Sequence, residues 1–180
     1  LKYVVGHSVR EYFMNRYAGV NPANGDALWY TADGELTTEF REEDKVMTGK
    51  SFDSPWVGGF GTSLMWKGLS LSAQFSWMAK RYVMNNDRFF EESNGLYSAY
   101  NQSKRLLYDR WKKPGDITDI PRYGVTAQLD DRFLENSSFL RLKNLTLAYA
   151  FPQSLLKKTN FFTSARVYLQ GQNLLTWTGF

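Results

Sequence analysis

The residues best suited to binding chemistry lie in two long polar stretches, residues 18–55 and 83–137. Both stretches combine aromatic rings with carboxylates. The candidate positions are Trp29, Tyr30, Trp111, Asp116, Asp119 and Tyr123. An aromatic ring offers a flat apolar face that covers the C–H face of a sugar, while nearby polar groups bond its hydroxyls. The composition of these stretches therefore favours a ligand-binding surface, with ordinary loop packing as the alternative.

Catalytic and metal chemistry has little support in the remaining residues. His7 is the only histidine and cysteine is absent, so the chain offers neither a histidine pair nor a thiolate. Glu42, Glu43 and Asp44 are consecutive acids, but basic residues flank them, which indicates a solvated charged surface. The sequence contains no nucleophile or phosphate-binding motif, and no carboxylate pair has the context of a glycosidase. We expect no enzymatic activity, no metal and no cofactor.

Composition and charge narrow the class of protein. The 180-residue chain is 17% aromatic and carries a formal charge of +4. Its basic residues are spread over strand and turn segments, whereas a nucleic-acid-binding surface concentrates them on one face. No apolar run approaches the roughly 18 residues that a transmembrane helix requires. A membrane-crossing β-sheet is not excluded by this, because its strands are only half apolar.

Residues 56–82 are the stretch around which the other elements are organised, because their polarity alternates almost without a break. Leu69, Leu71, Phe75 and Trp77 share one face of the second arm, and Ser70, Ser72, Gln74 and Ser76 share the other. Lys67-Gly68 predicts a tight hairpin turn between two arms. Both arms exceed the ~5–6 residues of an ordinary strand and match the ~9–11 of a bilayer-crossing strand. A long hairpin in a soluble sandwich alternates in the same way, so both interpretations stay open here.

The rest of the chain predicts an antiparallel meander. Strands are expected near residues 5–17, 56–67, 69–82, 138–150 and 163–177, with a bulge or a twist near residues 141–143. Asn24-Gly25 predicts a type I′ turn that returns through residues 27–30, residues 97–111 a short helix, and residues 151–162 one helical turn. The short connections, at residues 67–68 and 151–162, alternate with the long ones, at residues 18–55 and 83–137. Transmembrane barrels sort short and long loops to opposite sides in this way.

Five stretches resemble the C-terminal part of the SusC/RagA family of TonB-dependent outer-membrane transporters. They are AGVNPANGDALWYTADG (18–34), PWVGGFGTSLMWKGLSLSAQFSW (55–77), DRWKKPGDITDIPRY (109–123), SSFLRLKNLTLAYAFP (137–152) and RVYLQGQNLLTWT (166–178). FLRLKNLTLAY and NLLTWT are the most specific of these. The resemblance implies an all-β fold: a partial antiparallel transmembrane β-barrel, with residues 1–180 forming one incomplete domain of a 22-stranded barrel.

The resemblance also implies a function. Such proteins import glycans, or in some members peptides, across the outer membrane of Bacteroidetes, which are Gram-negative. A SusD-like lipoprotein covers their extracellular face, and the TonB–ExbB–ExbD complex supplies energy through an N-terminal segment. The plug domain and final strands are expected outside this piece, so Phe180 is interpreted as an accident of truncation. The alternatives are a TonB-dependent receptor for another ligand, such as a siderophore, and a soluble glycan-binding β domain.

The barrel interpretation assigns a direction to each face of the hairpin. Leu69, Leu71, Phe75 and Trp77 are expected to face outer-membrane lipid, and Ser70, Ser72, Gln74 and Ser76 to face the lumen. The tryptophans near the strand ends, Trp56, Trp66 and Trp77, are expected at the membrane interfaces. The two long loops are expected on one, extracellular, side.

Overall fold

The computed structural model describes residues 2–158 and 161–180. The chain forms two compact units. The unit that we call the sheet unit contains residues 54–81 and 137–180, and the unit that we call the loop unit contains residues 1–53 and 82–136. Within the described ranges, no helix combines the length and the apolar character needed to cross a membrane.

Strands dominate the structure, and its helices are short. The strands are β1 (Glu11–Met14), β2 (Arg16–Val20), β3 (Ala27–Tyr30), β4 (Leu36–Thr37), β5 (Val46–Ser51), β6 (Trp56–Trp66), β7 (Leu69–Ala79), β8 (Tyr82–Met84), β9 (Leu134–Asn136), β10 (Phe139–Ala150) and β11 (Arg166–Thr178). The helices are α1 (Asn86–Glu91), α2 (Arg105–Tyr108) and α3 (Gln153–Leu156), and single 3₁₀ turns span Glu42–Asp44 and Asp131–Phe133.

The sheet unit is a four-stranded antiparallel meander in the order β6, β7, β10, β11. Its strands have 11 to 13 residues each, well beyond an ordinary strand and long enough to cross a bilayer. Four of the five predicted long strands are thereby confirmed. The helical turn predicted after β10 is also confirmed as α3, although residues 159 and 160 of that connection lie outside the described part of the chain.

The tight turn between β6 and β7 forms as predicted. Lys67 and Gly68 have φ of 47° and 88°, so both central residues are left-handed, as a type I′ turn requires. A Cβ on Gly68 would also lie 2.6 Å from the carbonyl oxygen of Ala150. Glycine is therefore needed at this position both for its backbone conformation and for the close approach of β10.

A β-bulge at Lys143 explains a break in the alternation of β10. The register of β10 shifts between Leu142 and Asn144 against both neighbouring strands. Leu140 and Leu142 differ in parity from Leu145, and one extra residue between them returns all three to the same face. The bulge predicted near residues 141–143 is confirmed.

The register aligns the apolar positions of all four strands on one face of the sheet unit. The rows across β6, β7, β10 and β11 are Trp66, Leu69, Tyr149 and Val167; Leu64, Leu71, Leu147 and Leu169; Phe60, Phe75, Leu142 and Leu175; and Gly58, Trp77, Leu140 and Trp177. The opposite face is polar along the middle of the sheet. Its rows include Ser63, Ser72, Thr146 and Gln170, and Gly61, Gln74, Asn144 and Gln172. The sheet thus has one apolar and one polar face.

The strand predicted at residues 5–17 is wrong. This segment divides at Asn15 into β1 and β2, which join different small sheets of the loop unit. Asn15 is fully buried and donates from its amide Nδ2 to the carbonyl oxygen of Arg41 at 2.7 Å. A buried side-chain amide needs such a partner. The bond ties Asn15 to the residue before the 3₁₀ turn Glu42–Asp44, and the strand pairing is interrupted at Asn15.

Residues 31–55 are more ordered than the solvated loop that their acidic composition predicts. They contain β4, a 3₁₀ turn and β5, which pairs with β1. Asp44 is buried, and its carboxylate accepts from the backbone N–H of Ala32 at 3.0 Å. The expectation of a solvated acidic surface is therefore wrong for this one residue, because its carboxylate serves as a cap inside the fold.

Two local predictions for the long connections are also corrected. The turn at residues 21–26 is longer than a type I′ turn, because Asn21 pairs with Asp26 and Gly25 donates to the Asn21 carbonyl. Gly25 has a φ of 79°, and Asn24 is not left-handed. The return strand at residues 27–30 forms as β3. Helix α2 occupies only Arg105–Tyr108 of the predicted residues 97–111.

Candidate ligand-binding surface

The two long connections pack against each other within the loop unit. The Trp111 ring covers Gly25 so closely that a Cβ there would lie 2.6 Å from ring atom Cδ2. Trp111 Nε1 donates to the Pro22 carbonyl at 3.2 Å. Arg122 donates from its backbone N–H to the Gly25 carbonyl at 2.8 Å, and its Nε bonds Asp26 Oδ1 at 2.9 Å. Residues 18–53 and 82–136 therefore form one surface.

Trp29 supports this surface from within and is only 4% exposed. Its Nε1 donates to Asp130 Oδ2 at 2.9 Å, and its ring meets those of Tyr17 and Phe40 edge to face. Burial raises the pKa of the Asp130 carboxyl to about 6, although Arg132 and the Trp29 N–H favour the charged form. The structure thus uses the Trp29 ring for packing and does not present its face to solvent.

Tyr30, the neighbour of Trp29 on β3, points to the other side of the strand and is exposed. The Arg16 guanidinium lies 5.3 Å from the centre of its ring. A cation already occupies one face of this ring. Tyr30 lies on the small sheet of β2, β3 and β4, whereas Asp116, Asp119 and Tyr123 lie on a segment outside the named strands, so the six predicted candidates do not form a single cluster.

Asp119 belongs to an ion-pair network that ties α1 to α2. Both of its carboxylate oxygens accept from Arg105 at 2.8 Å, and Oδ2 also lies 3.3 Å from Arg88 Nη2. Arg88 and Arg105 in turn bind the buried carboxylate of Glu92, at 3.1 and 2.6 Å. Burial opposes ionisation of Asp119, but the hydrogen bonds and charge of Arg105 hold its pKa below the ordinary value. The Asp119 carboxylate therefore has a structural role: it holds its own segment against α1 and α2.

Asp116 closes a turn and lines an open cavity. Its Oδ2 accepts from the backbone N–H groups of Lys112 and Lys113 at 3.0 Å, and these bonds lower its pKa. The cavity has a volume of about 630 Å³. It is lined by Arg105, Tyr108, Asp109, Arg110, Lys112, Lys113, Asp116, Ile117, Thr118 and Asp119. This cavity brings together two of the predicted residues, Asp116 and Asp119.

Tyr123 is the most accessible of the predicted aromatic residues, at 69% exposure. It lines a second cavity of about 420 Å³ between α2 and the turn at residues 94–98. The Arg110 guanidinium lies 5.2 Å from the centre of its ring, and Arg110 lines both cavities. Tyr123 and the two aspartates consequently lie on neighbouring parts of one surface.

Sequence reasoning missed a third cavity, which is more apolar. It has a volume of about 470 Å³ and lies beside α1. Its lining is Asp87, Phe90, Glu91, Tyr97, Tyr100 and Asn101. The signal that could have found it is the density of aromatic residues over residues 89–100, which include two Phe and two Tyr. In the described part of the chain, no three His, Cys, Asp or Glu side chains are grouped to hold a metal.

The sheet unit and the loop unit together define a class of protein. Long antiparallel strands in a meander, with one apolar and one polar face, are characteristic of the wall of an outer-membrane β-barrel, and long connections are characteristic of its loops. No family model matches the chain. Comparison with curated and solved proteins identifies the kind of barrel.

The curated relatives are TonB-dependent receptors of Formosa agariphila. The chain is 32% identical to TonB-dependent receptor P3 over 149 residues and 30% identical to TonB-dependent receptor P26 over 155 residues. Each alignment covers 82% of this chain but 14% of the relative, so the chain spans about one-seventh of their length.

Solved structures of the RagAB peptide importer are similar throughout the chain. The 'open-open' state matches with a TM-score of 0.84 at 37% identity, over 99% of this chain and 21% of that chain. A second structure, described as the RagAB peptide transporter, matches with a TM-score of 0.84 at 40% identity, over 94% of this chain and 19% of that one. The chain belongs to the SusC/RagA type of TonB-dependent outer-membrane transporter, as a portion of the barrel.

Proposed function

We propose that the whole protein imports an oligomeric nutrient, a peptide or a glycan, across the outer membrane, and that this chain supplies part of its wall and much of its substrate-facing loops. The observation that carries the proposal is the packing of residues 18–53 and 82–136 into one loop unit whose surface includes the three open cavities described above. Binding residues are commonly placed on loops that a rigid scaffold holds. The curated relatives are receptors, which supports binding and transport and not catalysis.

Residues 1–180 are proposed to belong to one incomplete barrel domain, with the sheet unit in the membrane. The apolar face of the sheet contacts outer-membrane lipid, because lipid offers no partner for the polar groups of the other face. That other face lines the lumen. The organism is proposed to be one of the Bacteroidetes, in keeping with the Formosa relatives.

The partners proposed for the whole protein are a SusD-like lipoprotein, which covers the extracellular side, and the TonB–ExbB–ExbD complex. The relatives named TonB-dependent receptors support the second partner. Structures of RagAB in 'open-open' and 'closed-closed' states support a component that opens and closes. Tyr30, Trp111, Asp116, Asp119 and Tyr123 are proposed as ligand-facing or ligand-positioning residues, with Trp29 acting as their internal support.

The side of the membrane is tested by labelling single cysteines in intact cells, since the chain contains no cysteine. Ser98 and Asp33 are exposed positions in the two long connections, and Lys67 lies in the short turn. We expect an impermeant thiol reagent to label cysteine at Ser98 and Asp33 but not at Lys67. Asn94, which lies in the same connection as Ser98, is unsuitable for a labelled cysteine because it is 2% exposed and its amide donates to three backbone carbonyls. Labelling at Lys67 alone contradicts the proposed topology.

Substrate class is tested by uptake in cells that lack the gene. Complementation with the full-length gene should restore growth on either a defined peptide mixture or a defined oligosaccharide as sole source of the limiting nutrient. The similarity to RagAB, described as a peptide importer, favours the peptide. Restoration of neither uptake, with the protein present in the outer membrane, contradicts the proposal.

A further inference from the structure

The apolar cavity beside α1 has walls of aromatic rings and a rim of acids. Phe90, Tyr97 and Tyr100 supply the rings, and Phe90 and Tyr97 lie 4.9 Å apart between ring centres. Asp87 and Glu91 are one helical turn apart, so they project from the same side of α1. Tyr100 is 71% exposed and Phe90 46% exposed, so ring surface faces the opening.

The cavity is held in shape from behind. Phe89, the neighbour of Phe90, meets the ring of Phe133 edge to face at 5.4 Å, and Phe133 is completely buried. The turn that carries Tyr97 and Tyr100 is fixed by Gln102, whose Nε2 donates to the carbonyls of both tyrosines. Few groups need to be ordered when a ligand enters such a cavity, which favours binding.

The two acids at the rim have no ion-pair partner among the described residues. Arg88 lies between them in sequence, but its guanidinium is directed to Glu92, Asp119 and Glu135 on another side of α1. Among the residues that the structure describes, no Lys, Arg or His forms an ion pair with Asp87 or Glu91. Two uncompensated carboxylates beside electron-rich ring faces make this cavity favourable for a cation.

We propose that this cavity binds a positively charged group carried on a short apolar stem. The aromatic faces would contact the stem and attract the cation, and the carboxylates would accept its hydrogen bonds. Two ligand sources share this chemistry: the side chain of a lysine or arginine in a peptide, and the ammonium group of an amino sugar. The inference rests on the proposed function, because it gives a chemical class to the substrate of the loop unit.

The test compares charged and neutral probes on the purified full-length transporter, together with any partner that co-purifies. The peptide probes are Gly-Gly-Lys-Gly-Gly and the same peptide with norleucine for lysine. The sugar probes are the glucosamine trimer and its N-acetylated, neutral counterpart. We expect one charged probe to bind more tightly than its neutral counterpart. The double variant Asp87→Asn/Glu91→Gln should raise its Kd about fivefold to tenfold and leave the neutral probe unchanged.

Two further variants separate this site from general effects of charge and folding. Asp33→Asn/Glu43→Gln removes two exposed acids elsewhere in the loop unit and should leave all four affinities unchanged. Tyr100→Leu keeps an apolar side chain but removes the ring, and it should weaken only the charged probe. Whichever charged probe discriminates identifies the source of the cation.

Equal affinity for the charged and neutral probes overturns the inference. It is also overturned if Asp87→Asn/Glu91→Gln changes the Kd of the charged probe and the Kd of the neutral probe equally. In either case uptake of neutral peptides or glycans still supports the proposed function, so the two failures are distinguishable. Lack of binding by both charged probes likewise overturns the inference, whereas loss of all uptake in the complementation experiment overturns the function.

Discussion

Replacement of Phe75 by arginine tests which face of the sheet unit meets lipid. Phe75 lies near the middle of β7, and its ring stacks on that of Phe60 with 4.8 Å between centres and 15° between planes. Its row continues through Leu142 and Leu175, so an arginine here has no polar neighbour in that row. An arginine at the bilayer midplane on the lipid face costs about 2–4 kcal/mol. Loss of the ring pair adds about 0.5–1.5 kcal/mol.

Gln74→Arg is the matched control, because Gln74 is the adjacent residue at nearly the same depth on the polar face. Its neighbours in the row are Gly61 and Asn144, and the substitution removes the exposed hydrogen bond that Asn144 donates to its side chain at 2.9 Å. Ser76→Arg is a poorer control, because Ser76 lies directly opposite Arg141, and like charges on facing strands repel.

The assay is folding of the full-length protein into vesicles at increasing urea concentration, followed by gel mobility of the folded barrel. We expect Phe75→Arg to lower the free energy of unfolding by about 3–5 kcal/mol and Gln74→Arg by less than about 1 kcal/mol. Phe75→Leu isolates the ring pair and should cost about 1 kcal/mol. Equal losses for the two arginine variants, or a larger loss for Gln74→Arg, refute the assignment of the faces.

Two further predictions concern the loop unit. Gly25→Ala should separate the turn at residues 21–26 from the Trp111 ring and make the turn more susceptible to proteolysis, because the new Cβ would overlap that ring and φ is 79°. Gly34→Ala is the control: its φ is 92° but no atom lies within 4 Å of the new Cβ, so it should show only the smaller effect of backbone strain. The pKa of Asp130 is raised from the ordinary 3.8 to about 6 in the folded protein, so Asp130 binds its proton more tightly when the chain is folded. Protonation therefore stabilises the folded state; this stabilisation is complete below about pH 4 and is lost as the pH rises through about 6. Hydrogen exchange of the Trp29 indole N–H, relative to its intrinsic rate, should therefore be slower at pH 5 than at pH 7. The Asp130→Asn variant should show no such difference between the two pH values. If the difference persists in that variant, Asp130 is not the group that causes it.

The sheet unit could be predicted from sequence because its pattern is local. Alternation with a period of two locates both faces, and the change of parity between Leu142 and Leu145 is enough to locate the bulge. Lys67-Gly68 likewise specifies its turn by residue type. The pattern could not show which small sheet receives each strand of residues 11–51, since those strands are two to six residues long and alternate poorly.

The loop unit is harder to predict because its interactions join residues far apart in sequence. The loop context of Trp29 favours an exposed ring, but its indole bonds Asp130, 101 residues away. Asp119 has the sequence context of a free polar group in a loop, whereas two arginines hold its carboxylate. Residue type alone does not reveal which aromatic ring is buried or which carboxylate is paired. The same limit applies to Phe90 and Tyr97, whose ring centres lie 4.9 Å apart only in the folded chain.

Buried polar side chains explain how a loop unit with short strands holds a defined surface. The amide of Asn94 donates to the carbonyls of Pro121, Arg122 and Val125, and Asn94 itself is left-handed, with a φ of 53°. Any rearrangement that separates these groups leaves buried donors or acceptors without partners, at a cost of about 1–3 kcal/mol each. An apolar core alone would tolerate many arrangements of such loops, whereas directional bonds of this kind permit few. The shapes of the cavities around Tyr123 and α1 therefore depend on the polar interior beneath them as well as on the exposed rings.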